Sequence, residues 1–446
     1  MSRSHPALRP LALAVAVALS GPAHAADPPA IAALEARIAE LERRLAALTA
    51  ERDGPAPATA SAAPGARPPA GPPPIQPTAI LPNAPPGTRF SVTGFLRTDA
   101  LATRTGDGEL PDGSIGRDLY VPGQIPVGGL PEGMDLDAHT KWTRFTLGLD
   151  HDDGAGDVIA GRLELDLFGN ALGNKQSTNT YGLTVRHAWF SWNRWLIGQT
   201  WTNFGDIGAL VDGVDIVGAT DAQVFVRQPQ LRYTAGPWSV SLENPETTFV
   251  PASGGPRVAS DDNDRPDLTL RYTHRAAWGF VGAGLLLRQL AYETTGPNAI
   301  DATATTLALN VSGRIALGAA DDLRFSLTAG EGLGRYVGLG IASDAVLDRA
   351  GALDAVPGRA ALVGWRHVFS PSWRVNLYAA ASRFDHDDAV AGGTVTRATR
   401  SVSANVFYTP VPKLDLGAEW RLARRELENG ARGDLRRWHL LARYSF

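Results

Sequence analysis

From Arg89 to Phe446 the chain is built on a period of two, and this period limits what it can fold into more than any other feature. In "DLTLRYTH" (267–274), Leu268, Leu270 and Tyr272 share one face against Thr269, Arg271 and Thr273. In "DLRFSLTA" (322–329), Leu323, Phe325 and Leu327 oppose Arg324, Ser326 and Thr328. "SWRVNLYAA" and "KLDLGAEWRL" repeat the pattern with Arg374, Asn376, Asp415, Glu419 and Arg421 on the polar side. Successive side chains of a strand point to opposite faces, so each run has one apolar and one charged face. About sixteen such runs start near 89, 140, 157, 181, 194, 221, 237, 267, 277, 303, 321, 358, 372, 396, 412 and 434.

The connections separate two ways of closing such a sheet. Long ones (102–139, 169–180, 204–220, 245–266, 292–302, 334–357, 385–395 and 427–433) alternate with short ones such as Asn193-Arg194, 235–237, 318–320, 370–372 and 410–412. A soluble sandwich has no reason to keep that alternation, whereas an outer-membrane barrel has short periplasmic turns and long external loops. The expected fold is therefore all-β, a transmembrane antiparallel β-barrel over 89–446. In lipid every backbone N–H and C=O needs an internal partner, so the last strand must pair with the first. That strand is "RRWHLLARYSF" (436–446). Its Trp438, Tyr444 and Phe446 face lipid at the interface level where amphipathic rings are stable, and they are expected to act as a membrane-assembly signal.

Three segments precede the barrel. Arg3 and Arg9, the apolar run Leu11–Leu19 and the small-residue site Ala23-His24-Ala25 read as a secretory signal peptide over 1–25. Its loss takes the formal charge from −4 to −6, because Arg3 and Arg9 are its only charged residues. Over 26–53, Ile31, Leu34, Ile38, Leu41, Leu45 and Leu48 step by three and four as an a/d seam, a short coiled coil preceding the barrel. Residues 54–88 are rich in Pro, Ala and Gly and form an extended spacer.

Two stretches carry a resemblance. "GQTWTNF" and "FVRQPQLRYT", within 195–234, and "LENPE", within 239–249, are similar to the DcaP-like porins of Gram-negative bacteria, and the order coiled coil, spacer, barrel matches that family. A terminal Phe after alternating aromatic residues also resembles the signal read by the barrel-assembly machinery. The resemblance implies a homotrimeric, sixteen-stranded diffusion channel in the outer membrane, with its coiled coil in the periplasm, favouring small anions such as dicarboxylates. Porins related to the phosphate-selective group share the outline, but the quoted pieces match them less well. The heptads themselves point elsewhere on one count, since Ile at a with Leu at d favours two strands over three.

A barrel of this size leaves an aqueous lumen that something must narrow. The connection 204–220 follows the fifth strand, is apolar enough to pack on the inner wall, and carries Asp206, Asp212, Asp215 and Asp221. Strand parity turns Arg144, Arg162, Arg271, Arg324, Arg374, Arg421 and Arg443 inward. Arg227 and Arg232 have opposite parity, and both face the lumen if Pro229 marks a bulge between them. The expectation is an arginine-lined constriction opposed by an acidic inner loop, admitting small anionic solutes. Glu164, Asp166, Asp415 and Glu419 face inward as well, so part of the arginine is expected to pair with wall carboxylates.

Other chemistry is poorly provided for. The chain has no cysteine, and the mature histidines show no metal-ligand spacing. No Gly-x-Ser-x-Gly elbow or phosphate-binding glycine loop is present, so neither an enzyme nor a metal or other cofactor is expected. The acidic clusters "DHDD" and "SDDND" lack the spacing of a calcium loop and read as solvated loop tips. A formal charge of −4 with no basic block gives no reason to expect nucleic acid. Outer-membrane lipid and lipopolysaccharide are the expected surroundings. The competing reading is a structural envelope protein, whose barrel anchors a periplasmic tether.

Overall fold

The computed structural model describes residues 87–169, 180–252, 254–387 and 391–446. The signal peptide, the heptad seam from Ile31 to Leu48 and nearly all of the spacer lie outside the described residues. The first strands are β1 (Thr88–Thr105), β2 in two halves (Met134–His139 and Arg144–Asp152), β3 (Val158–Asp166) and β4 (Thr184–Trp192). Next come β5 (Trp195–Trp201), β6 (Arg227–Ala235), β7 (Trp238–Glu243) and β8 (Asp267–Ala276). The third group is β9 (Gly279–Glu293), β10 (Asp301–Leu317), β11 (Asp321–Glu331) and β12 (Pro357–Ser370). The last are β13 (Trp373–Phe384), β14 (Thr396–Val411), β15 (Leu414–Leu427) and β16 (Arg432–Ser445).

Each strand pairs antiparallel with the next, and β1 pairs with β16 from Phe95↔Ser445 to Thr105↔Leu435, which closes the sheet. Both halves of β2 pair with β1, so the 17 sheet segments amount to a closed barrel of sixteen strands. At the break between the halves, Thr143 repairs the ladder: its hydroxyl accepts from the Arg97 N–H (3.1 Å) and donates to the Arg97 carbonyl (3.2 Å).

The alternating pattern acts as expected. On β11 the outward Leu327 is 52% exposed while its neighbours Ser326 and Thr328 are 2% and 3% exposed. Aromatic pairs gather on the outer face near the short turns: Trp195–Tyr233 (4.7 Å between centroids), Trp238–Tyr272 (4.8 Å) and Trp373–Tyr408 (4.5 Å). The tightest turns place Asn193 (φ 51°) and Lys413 (φ 72°) in the left-handed region. Trp438, Tyr444 and Phe446 are all on the outer face, with Phe446 beside Phe145 (6.0 Å).

Two local expectations need correction. The strand expected to begin near 221 begins at Arg227, and Thr220–Ala222 is a 3-10 turn, so the β5–β6 connection runs from 202 to 226. The bulge expected at Pro229 is absent from the β5–β6 pair, which keeps one register with Gln199 opposite Pro229, so Arg232 shares the inward face of Gln228 and Gln230 while Arg227, at the strand's first position, has the parity of the exposed Pro229 and Leu231. Pro229 is tolerated because the β6–β7 ladder stops at Gln230↔Glu243, one residue short of it. The bulge lies in β4 instead: Glu164 pairs with His187 and Leu165 with Val185, which turns both Arg186 and His187 inward.

The apolar core sits inside the barrel. Connections 106–133, 202–226 and 332–356 contribute Leu110, Tyr120, Phe204, Val224, Tyr336, Val337 and Ile341 to buried clusters. These pack on small inward wall residues such as Ala308, Ala360, Ala380 and Ala423. A small sheet of loop strands (Val258–Ser260, Thr247–Pro251, Ala345–Leu347 and Leu353–Ala355) joins the 244–266 and 332–356 connections.

Candidate functional site: the lumen and its arginines

The 202–226 connection lies along the inner wall from β8 to β1, and the wall arginines hold it there. Arg271 donates to the Gly205 carbonyl (2.9 Å) and lies 3.6 Å from Asp206. Arg324 donates to the Leu210 carbonyl, Arg374 to Asp212 (2.8 Å) and Arg97 to the Val214 carbonyl (2.6 Å). Glu419 accepts from the Val214 N–H (2.8 Å), while Arg421 donates to the Gly218 carbonyl (2.8 Å). A segment outside any ladder must satisfy its backbone groups elsewhere, and a guanidinium has five donors in a fixed fork for that purpose. Asp206 and Asp212 therefore meet arginine directly rather than across water. Arg421 is 1% exposed, enclosed by Glu419 and the rings of Tyr120 and Tyr378.

Asp215 differs from its neighbours. It accepts from the backbone N–H of Tyr120 (2.8 Å) and of Val217 (3.0 Å), which ties the 106–133 connection to this one. Burial alone raises its carboxyl. The Arg421 and His439 charges and those amides outweigh burial and hold it below the ordinary carboxylate range.

On β2 to β6 the charged groups are arranged differently. Arg186 pairs with Glu164 (2.8 Å) and Asp166 (3.1 Å), Arg144 lies 3.4 Å from Glu164, and Arg162 donates to Asp150 (3.1 Å). These partners belong to the wall itself and not to the 202–226 segment. Arg144 lies over the Phe95 ring (5.2 Å) and Arg227 over Trp201 (4.9 Å). Arg227 also feels the charges of Arg186, Asp166 and Glu164. Here Arg144, Arg186 and Arg227 outnumber Glu164 and Asp166. Nε and Nη2 of Arg144 and Nη1 of Arg227 are buried with no hydrogen-bond partner among the described residues. Arg232 donates to Gln230 (2.9 Å) and the Trp201 carbonyl, so it braces β5 against β6.

A second cationic site lies at the long-loop end, a cavity of about 340 Å³ lined by Gln124, Arg257, Ser343, His386, Thr396 and Arg425 among others. Arg257 donates to the Gly340 carbonyl (2.7 Å) and Ser343 (3.2 Å). Arg425 donates to the Ile125 carbonyl (3.1 Å) and Thr396 (2.9 Å). Among the described residues neither has a carboxylate within ion-pair distance, whereas His386 meets Glu428 at 3.0 Å. Sequence reasoning missed Arg97, Arg186, Arg257 and Arg425. Arg425 was within reach, since it has the parity of Arg421 on the same strand. Arg186 needed the bulge, and Arg257 lies on a loop without a period.

The model of the DcaP outer membrane protein family matches residues 133–446. The chain belongs to that family. This DcaP-family protein is thus an outer-membrane porin barrel of a Gram-negative bacterium and not an enzyme. Its fold is similar to that of the outer membrane channel DcaP of Acinetobacter baumannii, with a TM-score of 0.65 and 22% identity over 81% of this chain and 98% of that one. A loop-deletion mutant of OmpT, an outer membrane protein of Vibrio cholerae, follows with a TM-score of 0.51 and 14% identity over 81% of this chain and all of that one (100%). A search of curated protein sequences finds no match.

Proposed function

We propose that the barrel is a diffusion porin that prefers small anions, dicarboxylates among them, and that it works as a homotrimer. One observation carries the reading: Arg144, Arg186 and Arg227 outnumber Glu164 and Asp166 beside them, and three nitrogens of Arg144 and Arg227 have no hydrogen-bond partner among the described residues. Such nitrogens hold a delocalised charge in a fork matched to carboxylate. Arg257 and Arg425 at the outer cavity give anions a first site, and Arg144, Arg186 and Arg227 a second. Weak sites in series, inside a field focused by low-dielectric walls, raise entry without trapping the solute. The constriction is formed by the wall of β2 to β6 on one side and the arginine-clamped 202–226 segment on the other. In this reading Asp206 and Asp212 neutralise arginines that fix the segment, and Asp215 and Asp221 are taken up by backbone N–H and hydroxyl groups, which leaves the opposite wall to set selectivity.

Planar-bilayer recording of the purified protein in a salt gradient tests this. Stepwise conductance with an anion-selective reversal potential is expected. Arg144→Gln with Arg227→Gln should lower the anion-to-cation permeability ratio several-fold at similar conductance. Cation selectivity in the unaltered protein, or no channel events, overturns the reading.

A further inference from the structure

The outer face of the barrel carries arginine where lipid should be met, along the long-loop end of β12 to β1, starting with Arg359 opposite Arg383, which is itself held by Asp385 (2.7 Å). On β14, β15, β16 and β1 the outward rows run in register: Trp420 opposite Trp438, then Leu422 opposite Arg436 and Arg436 opposite Arg104, then Arg400 opposite Arg424 and Arg424 opposite Asp434. Asp434 is taken by Arg424 through two hydrogen bonds (2.6 and 2.8 Å). Arg104, Arg400 and Arg436 are exposed and have no ion pair or hydrogen bond among the described residues. Together the outward side chains of Arg400, Val402, Leu422, Arg424, Asp434 and Arg436 line a groove of about 420 Å³. At the same end of β9 to β11 the exposed residues are Glu293, Thr303, Thr305 and Glu331, with no arginine.

Charge on a lipid-facing strand is costly at mid-membrane and tolerated only near the interface. The arginine rows begin one row beyond the Trp420–Trp438 pair (6.3 Å), towards the long loops, which in a barrel of this kind are external. That is the headgroup level of the outer leaflet. Two unpaired guanidinium groups on an apolar-floored groove, with that of Arg104 opposite Arg436 on the next strand, fit a ligand with acyl chains below and phosphate above, since arginine binds phosphate bidentately. A second copy of this chain is a poorer occupant, because a neighbour would have to supply acidic groups to a patch that already repels itself.

We infer that the groove between β14 and β1 is a specific binding site for the phosphorylated glycolipid of the outer leaflet, with Arg104, Arg400 and Arg436 holding its phosphates. The test uses the full-length protein in detergent with purified bis-phosphorylated lipid A, read by native mass spectrometry. The unaltered protein should retain this lipid, and Arg104→Gln, Arg400→Gln and Arg436→Gln together should weaken retention about a hundredfold. Dephosphorylated lipid A should bind the unaltered protein as weakly as the intact lipid binds the triple variant. That arm needs no mutation, so it decides the matter even if the variant fails to assemble. Equal retention of dephosphorylated lipid A or of phosphatidylglycerol overturns the inference. A photocrosslinker at Val402 that captures a second copy of the chain instead of lipid also overturns it.

Discussion

Arg421 shows what a single inward arginine can be used for. Its parity on "KLDLGAEWRL", and that of its ion-pair partner Glu419, was plain in the sequence, but its other partners were not, because Gly218 and Tyr120 lie on irregular loops and Tyr378 on a separate strand. It lies beside Glu419 at 2.9 Å, and both are 2% exposed or less, so neither charge has water to fall back on. Removing one partner of such a pair leaves the other buried and uncompensated, at a cost of about 3–5 kcal/mol. Arg421→Ala should therefore lower barrel stability by that order in denaturant titrations in detergent. Arg421→Lys should fall between, since an ammonium cannot reach the Gly218 carbonyl, the Tyr378 hydroxyl and Glu419 together. Asp215 adds a pH dependence of known sign. Its carboxyl is depressed, so its contribution is present above the unfolded-state value and is lost as pH falls through the folded one. Single-channel current noise should rise on acidification below the ordinary carboxylate range, and Asp215→Asn should be equally noisy at neutral pH. A variant as quiet as the unaltered protein at neutral pH would show that this carboxylate does not anchor the loop.

At the level of elements, the period of two and the alternation of long and short connections made fourteen of the sixteen strand starts legible to within three residues, but they missed the first half of β2, which starts at Met134 and not near 140. They failed at β6, where "DAQVFV" looks like a strand but belongs to the loop. The reason is tertiary: Val224 and its neighbours pack on the 332–356 connection and pair with it through a bridge to Val337, so they are not free to extend β6. How the loop is seated was also invisible, because it depends on glycines of the wall. A Cβ on Gly364 of β12 would come within 2.6 Å of the Val211 side chain, and one on Gly417 of β15 within 2.9 Å of Val214. These glycines are notches that receive the loop's valines. Gly364→Leu should push the 202–226 segment off the wall while leaving the β11–β12 and β12–β13 ladders in register. Reduced conductance or frequent closures in a protein with native heat-modifiable mobility on gels is the expected result. Unchanged conductance would mean that the loop adapts and that the notch does not set the aperture.

For the molecule as a whole, closure was legible because lipid forbids an open edge, and the β1–β16 seam is the outcome of that rule. The distribution of charge was not. Parity assigns arginines to the inside or the outside, but it does not say which are held by a loop, which face open water and which meet lipid. Those three fates follow from register around the whole circumference. The same register argues that the barrel is self-sufficient, since among the described residues the rungs from Gly87 to Phe446 close the ladder. Removing 26–86 while keeping the export signal should then leave conductance per barrel and ion selectivity unchanged. What the deletion changes is informative about assembly: if the heptads from Ile31 to Leu48 hold copies together, particle mass in mild detergent should fall towards that of one barrel. If mass is unaffected, the copies are held by barrel surfaces, and the outer faces of the strands, including the seam, become the place to look for the contact. A truncated chain that does not close at all would contradict the premise that the described strands close the barrel by themselves.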